Sequence, residues 1–449
     1  MLRNYSFSQT LPNTVTRILL YLPRFNTAFM SADLAFILEH ANDDPNELLL
    51  HAHRYPGVNL PWCVTQIEAR KKIRHKLPQW YDLPELQYPT HLSLEQASSE
   101  TTARHKAALM AHDFLQTYGQ NTCRTADLTG GLGVDSSFMA QQARIHHYFE
   151  RQSSLCEAAR HNFQVLGLDD RIVVHEQALT DEDLTTALEA VDVVYLDPAR
   201  RSQSGSRVFS IEDCEPDLLQ WKNHLLQNKR TVWVKLSPMI DLTATLKALP
   251  QTQAVHIISV KGEVKELLLC LRERGSDTEY FWEDTPIYCT SLHPTDGTAL
   301  FCFSFTLRME QEAVDPRLNY PRDPEDLTGY LLDPDKSILK AGAFKYLAQA
   351  FPVEKVSTHT HLYHTTTVPE DFPGRTFRIL QSWDFNKRSI AELQKLLPGL
   401  RANVTTRHFP LSSEELQQKM KLKNGDHYHV FATTLEDRRK ILLLTSLVK

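Results

Sequence analysis

The sequence predicts an α/β fold: a largely parallel sheet with helices on both faces, preceded by a helical region and followed by an α+β domain. Between about residues 96 and 275, apolar strand-like runs alternate with helix-like stretches, a pattern typical of parallel sheets. Two runs, within 126–140 and 193–201, end in polar tips, as buried strands do where they open into loops. The last two runs, joined by "KGE", predict a terminal antiparallel hairpin.

Length and composition favour a soluble protein of several domains. A chain of 449 residues suggests about three domains, since one domain commonly takes roughly 150 residues. There is no apolar run long enough to span a membrane and no signal-peptide pattern at the start. The seven cysteines are scattered without a CxxC motif, which indicates reduced thiols in a cytoplasmic protein rather than disulfides or a zinc site.

Shifts in pattern divide the chain into five regions. Residues 1–95 predict short helices punctuated by prolines, and 96–275 predict the sheet domain. Residues 276–325 predict a small β-rich unit, and 326–372 a helix followed by a linker. Residues 373–449 show a β-α-β-α-β order, which predicts a compact α+β domain.

Charge is distributed unevenly between the end of the chain and the rest. Residues 375–449 hold fourteen Lys and Arg against seven Asp and Glu, a local charge of +7, whereas the remainder holds 35 against 48, a charge of −13. A basic end on an acidic body suggests an anionic partner there. Charge alone leaves a merely solvated basic domain as an equal alternative.

The segment "DLTGGLGVD" lies where a strand turns into a helix. Its glycines let the backbone turn tightly and let a ligand approach the main chain. The G-G-x-G spacing differs from the G-x-G-x-x-G of dinucleotide sites, and the flanking aspartates would repel a pyrophosphate. S-adenosylmethionine, with its ammonium and sulfonium groups, suits this charge better. The candidate cofactor-binding residues of the loop are Asp127, Thr129, Gly130, Gly131, Gly133 and Asp135.

The next two strand ends supply further candidate cofactor contacts. Glu150 ends its strand about twenty residues after the glycine turn, where a carboxylate can accept both ribose hydroxyls of an adenosine. Gln177, or the neighbouring Glu176, lies where an adenine edge could be hydrogen-bonded.

The segment "YLDPARR" supplies the candidate catalytic residues Asp197, Pro198 and Arg200. An acidic side chain followed by a proline-stiffened turn gives a fixed hydrogen-bond acceptor at a reacting centre, and Asp197 would also lie against the cofactor. Arg200 and Arg201 could anchor a phosphate or carboxylate. Secondary candidates at the following strand end are Lys235, Ser237 and Pro238.

Other clusters do not predict a site. The histidines of "HTHLYH" and "HYH" lie outside the sheet domain without the ligand spacing of a metal site, so no metal is predicted. Cys156 and Cys214 have no recognisable base nearby, which argues against a thiol nucleophile.

On these motifs, residues 96–275 resemble the class I S-adenosylmethionine-dependent methyltransferases. "DLTGGLGVD" is similar to their glycine-rich cofactor motif, Glu150 to their ribose-binding acid and "LDPAR" to their fourth motif. "DPAR" is closer to the DPPR forms of RNA methyltransferases than to DPPY or NPPY, and Gln177 stands where many members carry Asp. The whole chain resembles a bacterial family of THUMP-like domain-containing methyltransferases. In that family "LEQASSETTARHKA" precedes the cofactor loop, a small ferredoxin-like unit follows the catalytic domain, and a THUMP-like domain ends the chain.

The resemblance implies a methyltransferase that uses S-adenosylmethionine and acts on structured RNA held by the basic C-terminal domain. The ferredoxin-like unit is expected at 276–325 and the THUMP-like domain at 373–449. Two alternatives stay open: a methyltransferase for a small molecule or protein, and a non-catalytic RNA-binding protein whose sheet domain senses the cofactor. The target base, the acceptor atom and the oligomeric state are left open.

Overall fold

Residues 31–96 form short helices in a computed structural model that describes residues 31–89, 91–200, 210–275, 280–314, 321, 323–425 and 427–448, with only the backbone for His91 and Arg200. These helices are α1 (Ala32–Glu39), α2 (Pro45–Leu50), α3 (Leu60–Ile73), α4 (Pro78–Tyr81) and α5 (His91–Gln96). The first thirty residues of the predicted helical region lie outside the described residues. Within the described residues, every helix is too short or too polar to cross a membrane.

A nine-stranded sheet forms the centre of the molecule and confirms the predicted α/β class. Its strands are β1 (Arg124–Asp127), β2 (Ile145–Glu150), β3 (Ile172–Glu176), β4 (Val193–Leu196), β7 (Thr231–Leu236), β8 (Thr252–Val260), β9 (Glu263–Leu271), β10 (Ile287–Leu292) and β11 (Ala299–Phe305). A separate two-stranded ribbon consists of β5 (Ala199–Arg200) and β6 (Cys214–Glu215). The accompanying helices are α6 (Glu100–Tyr118), α7 (Val134–Ala140), α8 (Ser153–Val165), α9 (Asp181–Ala187), α10 (Leu218–Leu226), α11 (Leu242–Ala248) and α12 (Leu307–Glu312).

The strand order is β11-β10-β8-β9-β7-β4-β1-β2-β3. Strands β3, β2, β1, β4 and β7 run parallel, and β9 lies antiparallel between β7 and β8. The predicted β8–β9 hairpin is confirmed, but it is internal to the sheet rather than terminal. The chain leaves β1 toward β2 and later returns to β4 on the other side, so a crevice opens at the carboxyl ends of β1 and β4.

The central sheet contradicts the expectation of a separate β-rich unit at 276–325. Within that stretch, β10 pairs in parallel with β8, Ile287 opposite Val255, and β11 pairs antiparallel with β10. Ile287 and Cys289 are fully buried, because the neighbouring strand and the helices beside it cover them. The two strands therefore extend the central sheet.

A second sheet of seven strands occupies the C-terminal part. Its order is β13-β14-β12-β15-β18-β17-β16. The strands are β12 (Tyr330–Pro334), β13 (Glu354–Ser357), β14 (Thr360–Thr365), β15 (Gly374–Asp384), β16 (Asn403–Thr406), β17 (Tyr428–Thr434) and β18 (Lys440–Leu447). The helices are α13 (Lys336–Ala341), α14 (Lys345–Ala350), α15 (Lys387–Leu396) and α16 (Ser413–Lys419). The helix and linker expected at 326–372 are thus replaced by three strands and two helices.

The two sheets share one apolar core. Leu332 on β12 and Ile338 on α13 belong to the same buried cluster as Val255 and Ile257 on β8. Polar contacts cross the same boundary, since the Nζ of Lys340 donates to the backbone carbonyl of Ile240 at 2.6 Å. The helical region packs on the central sheet in the same way, with Ile73 and Trp80 in one cluster with Tyr195 and Trp233.

Candidate active site

The loop between β1 and α7 is shaped by its glycines. A Cβ on Gly130 would lie 2.2 Å from the ring of Tyr148, so only glycine fits there without a rearrangement. Gly133 caps α7 at φ +82°, and a Cβ at that position would lie 2.8 Å from the ring of Phe163. The loop therefore packs closely on β2 and α8.

Glu150, at the carboxyl end of β2, holds this glycine loop. Its Oε2 accepts a hydrogen bond from the N–H of Gly131 at 3.0 Å, and its Oε1 accepts one from the N–H of Gln152 at 2.8 Å. The side chain is half-buried. Each carboxylate oxygen has more than one acceptor site, so both oxygens can also accept hydrogen bonds from ligand hydroxyls.

Asp127 ends β1 and is 1% exposed. Its Oδ1 accepts a hydrogen bond from the N–H of Thr129 at 3.0 Å, and its Oδ2 accepts one from the hydroxyl of Ser136 at 2.7 Å. Burial raises the pKa of Asp127 to about 7, although these hydrogen bonds oppose the rise. The side chain lines the pocket, but its contacts are those of a residue that fixes the loop.

Asp197 joins the loop after β4 to the loop after β1. Its N–H donates to the Oγ1 of Thr129 at 2.7 Å, and its carboxylate pairs with the ammonium of Lys235 on β7. Burial would lower the pKa of Lys235, but Asp197 and Asp135 outweigh that effect and raise it above its ordinary value. Lys235 is thus a permanent cation beside a carboxylate that is 35% exposed.

Behind this pair lies a buried network that the sequence analysis did not single out. The Nζ of Lys106 is fully buried, donates to the Oγ of Ser98 at 2.8 Å, and pairs with Glu266 at 2.8 Å. The Nζ of Lys235 reaches the same Ser98 hydroxyl at 3.4 Å. Two signals were in the sequence: Ser98 and Lys106 lie in "LEQASSETTARHKA", and Glu266 is a charge within an apolar strand, where a partner is required.

Asp135 belongs to the same network. Its Oδ2 accepts hydrogen bonds from Ser98 at 2.8 Å and from the hydroxyl of Tyr195 at 2.9 Å, and Lys106 lies 3.2 Å from its Oδ1. Burial would raise the pKa of Asp135, but Lys106 and Lys235 outweigh it and lower the pKa. The negative charge expected to face a cationic ligand is therefore partly offset by two lysines, which also pair with Glu266 and Asp197.

A pocket of about 840 Å³ brings most of the predicted cofactor residues together. Gln177 is exposed at its edge, whereas Glu176 bonds to Ser153 and Arg160. Of the two candidates for an adenine contact, Gln177 is therefore the one that lines the pocket. Residues that line it on several sides include Gly130, Gly131, Glu150, Gln177, Asp197 and Tyr195.

The remaining candidates lie at or beyond the limits of this pocket. Pro198 lies between Asp197 and Ala199, which both line it. The backbone of Arg200 pairs with Cys214, while its side chain and the whole of Arg201 lie outside the described residues. Ser237 and Pro238 are not among the described residues that line the pocket.

Two histidines of "HTHLYH" contact neighbouring side chains. His361 stacks on Phe344 with ring centroids 3.7 Å apart, and His364 lies 3.6 Å from Glu354. Across the part of the chain that the structure describes, no three His, Cys, Asp or Glu side chains converge as metal ligands.

Comparison with known proteins decides the family. Residues 330–373 match a ferredoxin-like domain and residues 374–446 a THUMP-like domain. A solved structure from Porphyromonas gingivalis W83, described as a proposed methyltransferase, is 32% identical, covers 93% of this chain and 98% of its own, and superposes with a TM-score of 0.78. The chain belongs to the THUMP-like domain-containing family of class I S-adenosylmethionine-dependent methyltransferases.

For this methyltransferase, the ferredoxin-like unit lies at 330–373 rather than at 276–325. Two of the other solved structures that match are more distant. An rRNA methylase from Streptococcus thermophilus is 15% identical, covers 38% of this chain and 97% of its own, and has a TM-score of 0.27. A proposed class I methyltransferase from Listeria monocytogenes is 9% identical, covers 58% of this chain and 93% of its own, and has a TM-score of 0.36. No curated protein matches this chain by sequence.

Proposed function

We propose that this methyltransferase modifies a nucleotide of structured RNA, with Asp197 at the reacting centre. The observation that carries the proposal is the position of Asp197. Thr129 ties it to the glycine loop and Lys235 orients its carboxylate, at the edge of a pocket that also holds Glu150. A ligand in that pocket would present its reactive end to Asp197.

The pocket fits S-adenosylmethionine in size and in chemistry. Its volume of about 840 Å³ lies within the roughly 300–1,000 Å³ of small-molecule sites. Glu150 would accept hydrogen bonds from the ribose hydroxyls, the close-packed glycines would admit the cofactor against the main chain, and Gln177 would bond the adenine edge. When bound, the cofactor supplies an electrophilic methyl group on a sulfonium.

Asp197 would orient the acceptor and take its proton. Pro198 stiffens the turn that carries this carboxylate, and the cation of Lys235 keeps it in place. An exocyclic amine could donate a hydrogen bond to Asp197 and lose its proton to it as the methyl group transfers. Methylation at carbon would call for a cysteine nucleophile, and no cysteine is among the described residues that line the pocket. Nitrogen or oxygen is the favoured acceptor, and Arg200 remains a predicted contact to the target nucleotide.

RNA is supported by the C-terminal part of the chain. A local charge of +7 over residues 375–449 suits a polyanion. The match to a THUMP-like domain covers nearly the same stretch, residues 374–446. With a small-molecule or protein acceptor, this charge would have a regulatory role instead of a substrate-binding one.

The test is transfer of radiolabel from S-adenosylmethionine to total RNA from a strain that lacks this gene. We expect label in a discrete RNA fraction with the native protein, and none with Asp197→Ala, which should still bind the cofactor in calorimetry. Asp170→Ala removes an exposed carboxylate outside the pocket and should transfer normally. Label with Asp197→Ala would refute the role of Asp197, whereas cofactor binding without labelled RNA would favour another acceptor or a sensor.

A further inference from the structure

Two arginines share one buried carboxylate in the C-terminal sheet. Asp333 on β12 is 3% exposed, and its oxygens pair with Arg375 at 2.7 Å and with Arg407 at 2.9 Å. Arg375 is the register partner of Asp333 on β15, whereas Arg407 follows β16 at the far edge of the sheet. We call these three residues the arginine seat.

The sheet curls to close this arrangement. The hydroxyls of Thr360 on β14 and Thr433 on β17 lie 2.6 Å apart, although their strands are not neighbours in the sheet. The hydroxyl of Ser357 likewise donates to the carbonyl of Thr434 at 3.0 Å. The curl brings Arg407 over β12, so the two guanidinium groups are fixed from opposite parts of the sheet.

Three cationic side chains, Arg375, Arg407 and Lys336, lie near the two carboxylates of Asp333 and Asp335, so positive charge is in excess. Lys336 lies nearby, and its pKa is lowered by burial and then by Arg407. The neighbouring Asp335 already accepts hydrogen bonds from Ser259 at 2.6 Å and from the N–H of Ser337 at 2.8 Å.

The guanidinium group of Arg375 retains donors for a further ligand. Arg375 is half exposed and its Nη2 donates to Asp333, which leaves its other N–H donors without a partner among the described residues. Arg407 is 19% exposed, and its buried Nε contributes charge near the site rather than a donor open to a ligand. Guanidinium groups present paired N–H donors that match the oxygens of a phosphate. An anion with several oxygens would complete the group.

We propose that the arginine seat binds one backbone phosphate of the RNA, an inference that rests on RNA being the substrate class. The seat is tied to the catalytic sheet, because Asp335 begins α13 and bonds Ser259 of β8, and because α13 packs in the shared core. A phosphate bound there lies at a fixed distance from Asp197. The seat thus positions the RNA as well as attracting it.

The test compares Arg375→Gln with Arg378→Gln in the full-length protein. Both arginines are exposed on β15, but Arg378 lies three residues away and is not part of the seat. Affinity for a fluorescein-labelled hairpin RNA is measured by anisotropy over a range of salt concentrations. We expect Arg375→Gln to weaken binding about tenfold and to reduce the slope of log affinity against log salt by about 0.7–0.9, the loss of one phosphate contact.

Arg378→Gln should weaken binding less than about threefold. Arg375→Lys keeps the charge but not the paired donors, and should recover the salt slope with only part of the affinity. Equal effects of Arg375→Gln and Arg378→Gln, or no binding of the hairpin by the native protein, would overturn the seat. Binding that depends on Arg375 without methyl transfer to RNA would uphold the seat while refuting the proposed function.

Discussion

At the residue scale, Lys235 links the reacting centre to the buried charge network. Its ammonium pairs with Asp197 on one side and reaches Ser98 on the other, and Ser98 also bonds Lys106 and Asp135. Each charged side chain of this network has a partner of opposite sign, which is the condition for keeping ions in a low-dielectric interior. The orientation of Asp197 is therefore set through Lys235, which is not among the described residues that line the pocket.

The substitution Lys235→Gln should distinguish the positioning of Asp197 from the binding of the cofactor. Loss of the cation releases the carboxylate of Asp197, and we expect kcat to fall about 10- to 100-fold, part of what positioned acid–base groups contribute. Cofactor affinity should change less than about threefold, because the proposed cofactor contacts through Glu150 remain. Lys265→Gln, on the exposed end of β9, is the matched control. An unchanged kcat would show that Asp197 holds its orientation unaided.

Asp127 should make stability depend on pH. Its pKa is raised by burial from 3.8 to about 7, so the folded state binds a proton that the unfolded state has lost. The stability that this proton contributes is fully present below the pKa of Asp127 in the unfolded state. It is lost as pH rises through about 7, at up to about 1.4 kcal/mol per pH unit. Asp127→Asn stays neutral, so the stability of the variant relative to the native protein should rise between about pH 5 and pH 7 in urea unfolding. A difference independent of pH would contradict the raised pKa.

At the scale of elements, the turn after β1 requires Gly130, a residue without a Cβ atom. Gly130→Ala would place a carbon 2.2 Å from the ring of Tyr148, and the strain should cost about 1–3 kcal/mol of unfolding free energy. Cofactor affinity should fall as well, since the loop lines the pocket. Gly57→Ala, where no atom lies within 4 Å, should leave both measurements unchanged. Normal cofactor binding by Gly130→Ala would mean that the loop can relax away from β2.

The helices and strands also show what local sequence patterns can and cannot predict. Asp197 is predicted to lie against the cofactor held by the loop after β1. Its hydrogen bond with Thr129 in that loop agrees with the rule that parallel strands end at the same edge of a sheet. The stretch at 287–305 is predicted to be β-rich, but the pairing of β10 with β8 is not predicted, because strand pairing depends on long-range contacts that local sequence does not encode. The segment "HTHLYH" is predicted to belong to a linker, although most of it forms strand β14, in which Thr360, Leu362 and Tyr363 are buried. Lys106 is not predicted because its charged partners, Asp135 and Glu266, lie far away in sequence.

At the scale of the whole molecule, the shared core joins catalysis to the C-terminal domains. Ile338→Ala removes buried atoms where α13 meets β8 and should cost about 2–5 kcal/mol. Because both sheets contribute to this cluster, we expect a single calorimetric transition that shifts as one to lower temperature. Val448→Ala, at a half-exposed position, is the control. Two transitions, only one of which moves, would show that the sheets unfold independently.

The bond between Asp335 and Ser259 has a consequence for which RNA molecules can be modified. In a methyltransferase that binds RNA as proposed, an arginine seat fixed to the catalytic sheet keeps a constant distance between the bound phosphate and the reacting centre. An RNA is then chosen by whether its own bend brings a phosphate and a target nucleotide to that spacing. Selection would fall on the shape of the RNA, and substrates unrelated in base sequence but alike in fold would be modified equally well.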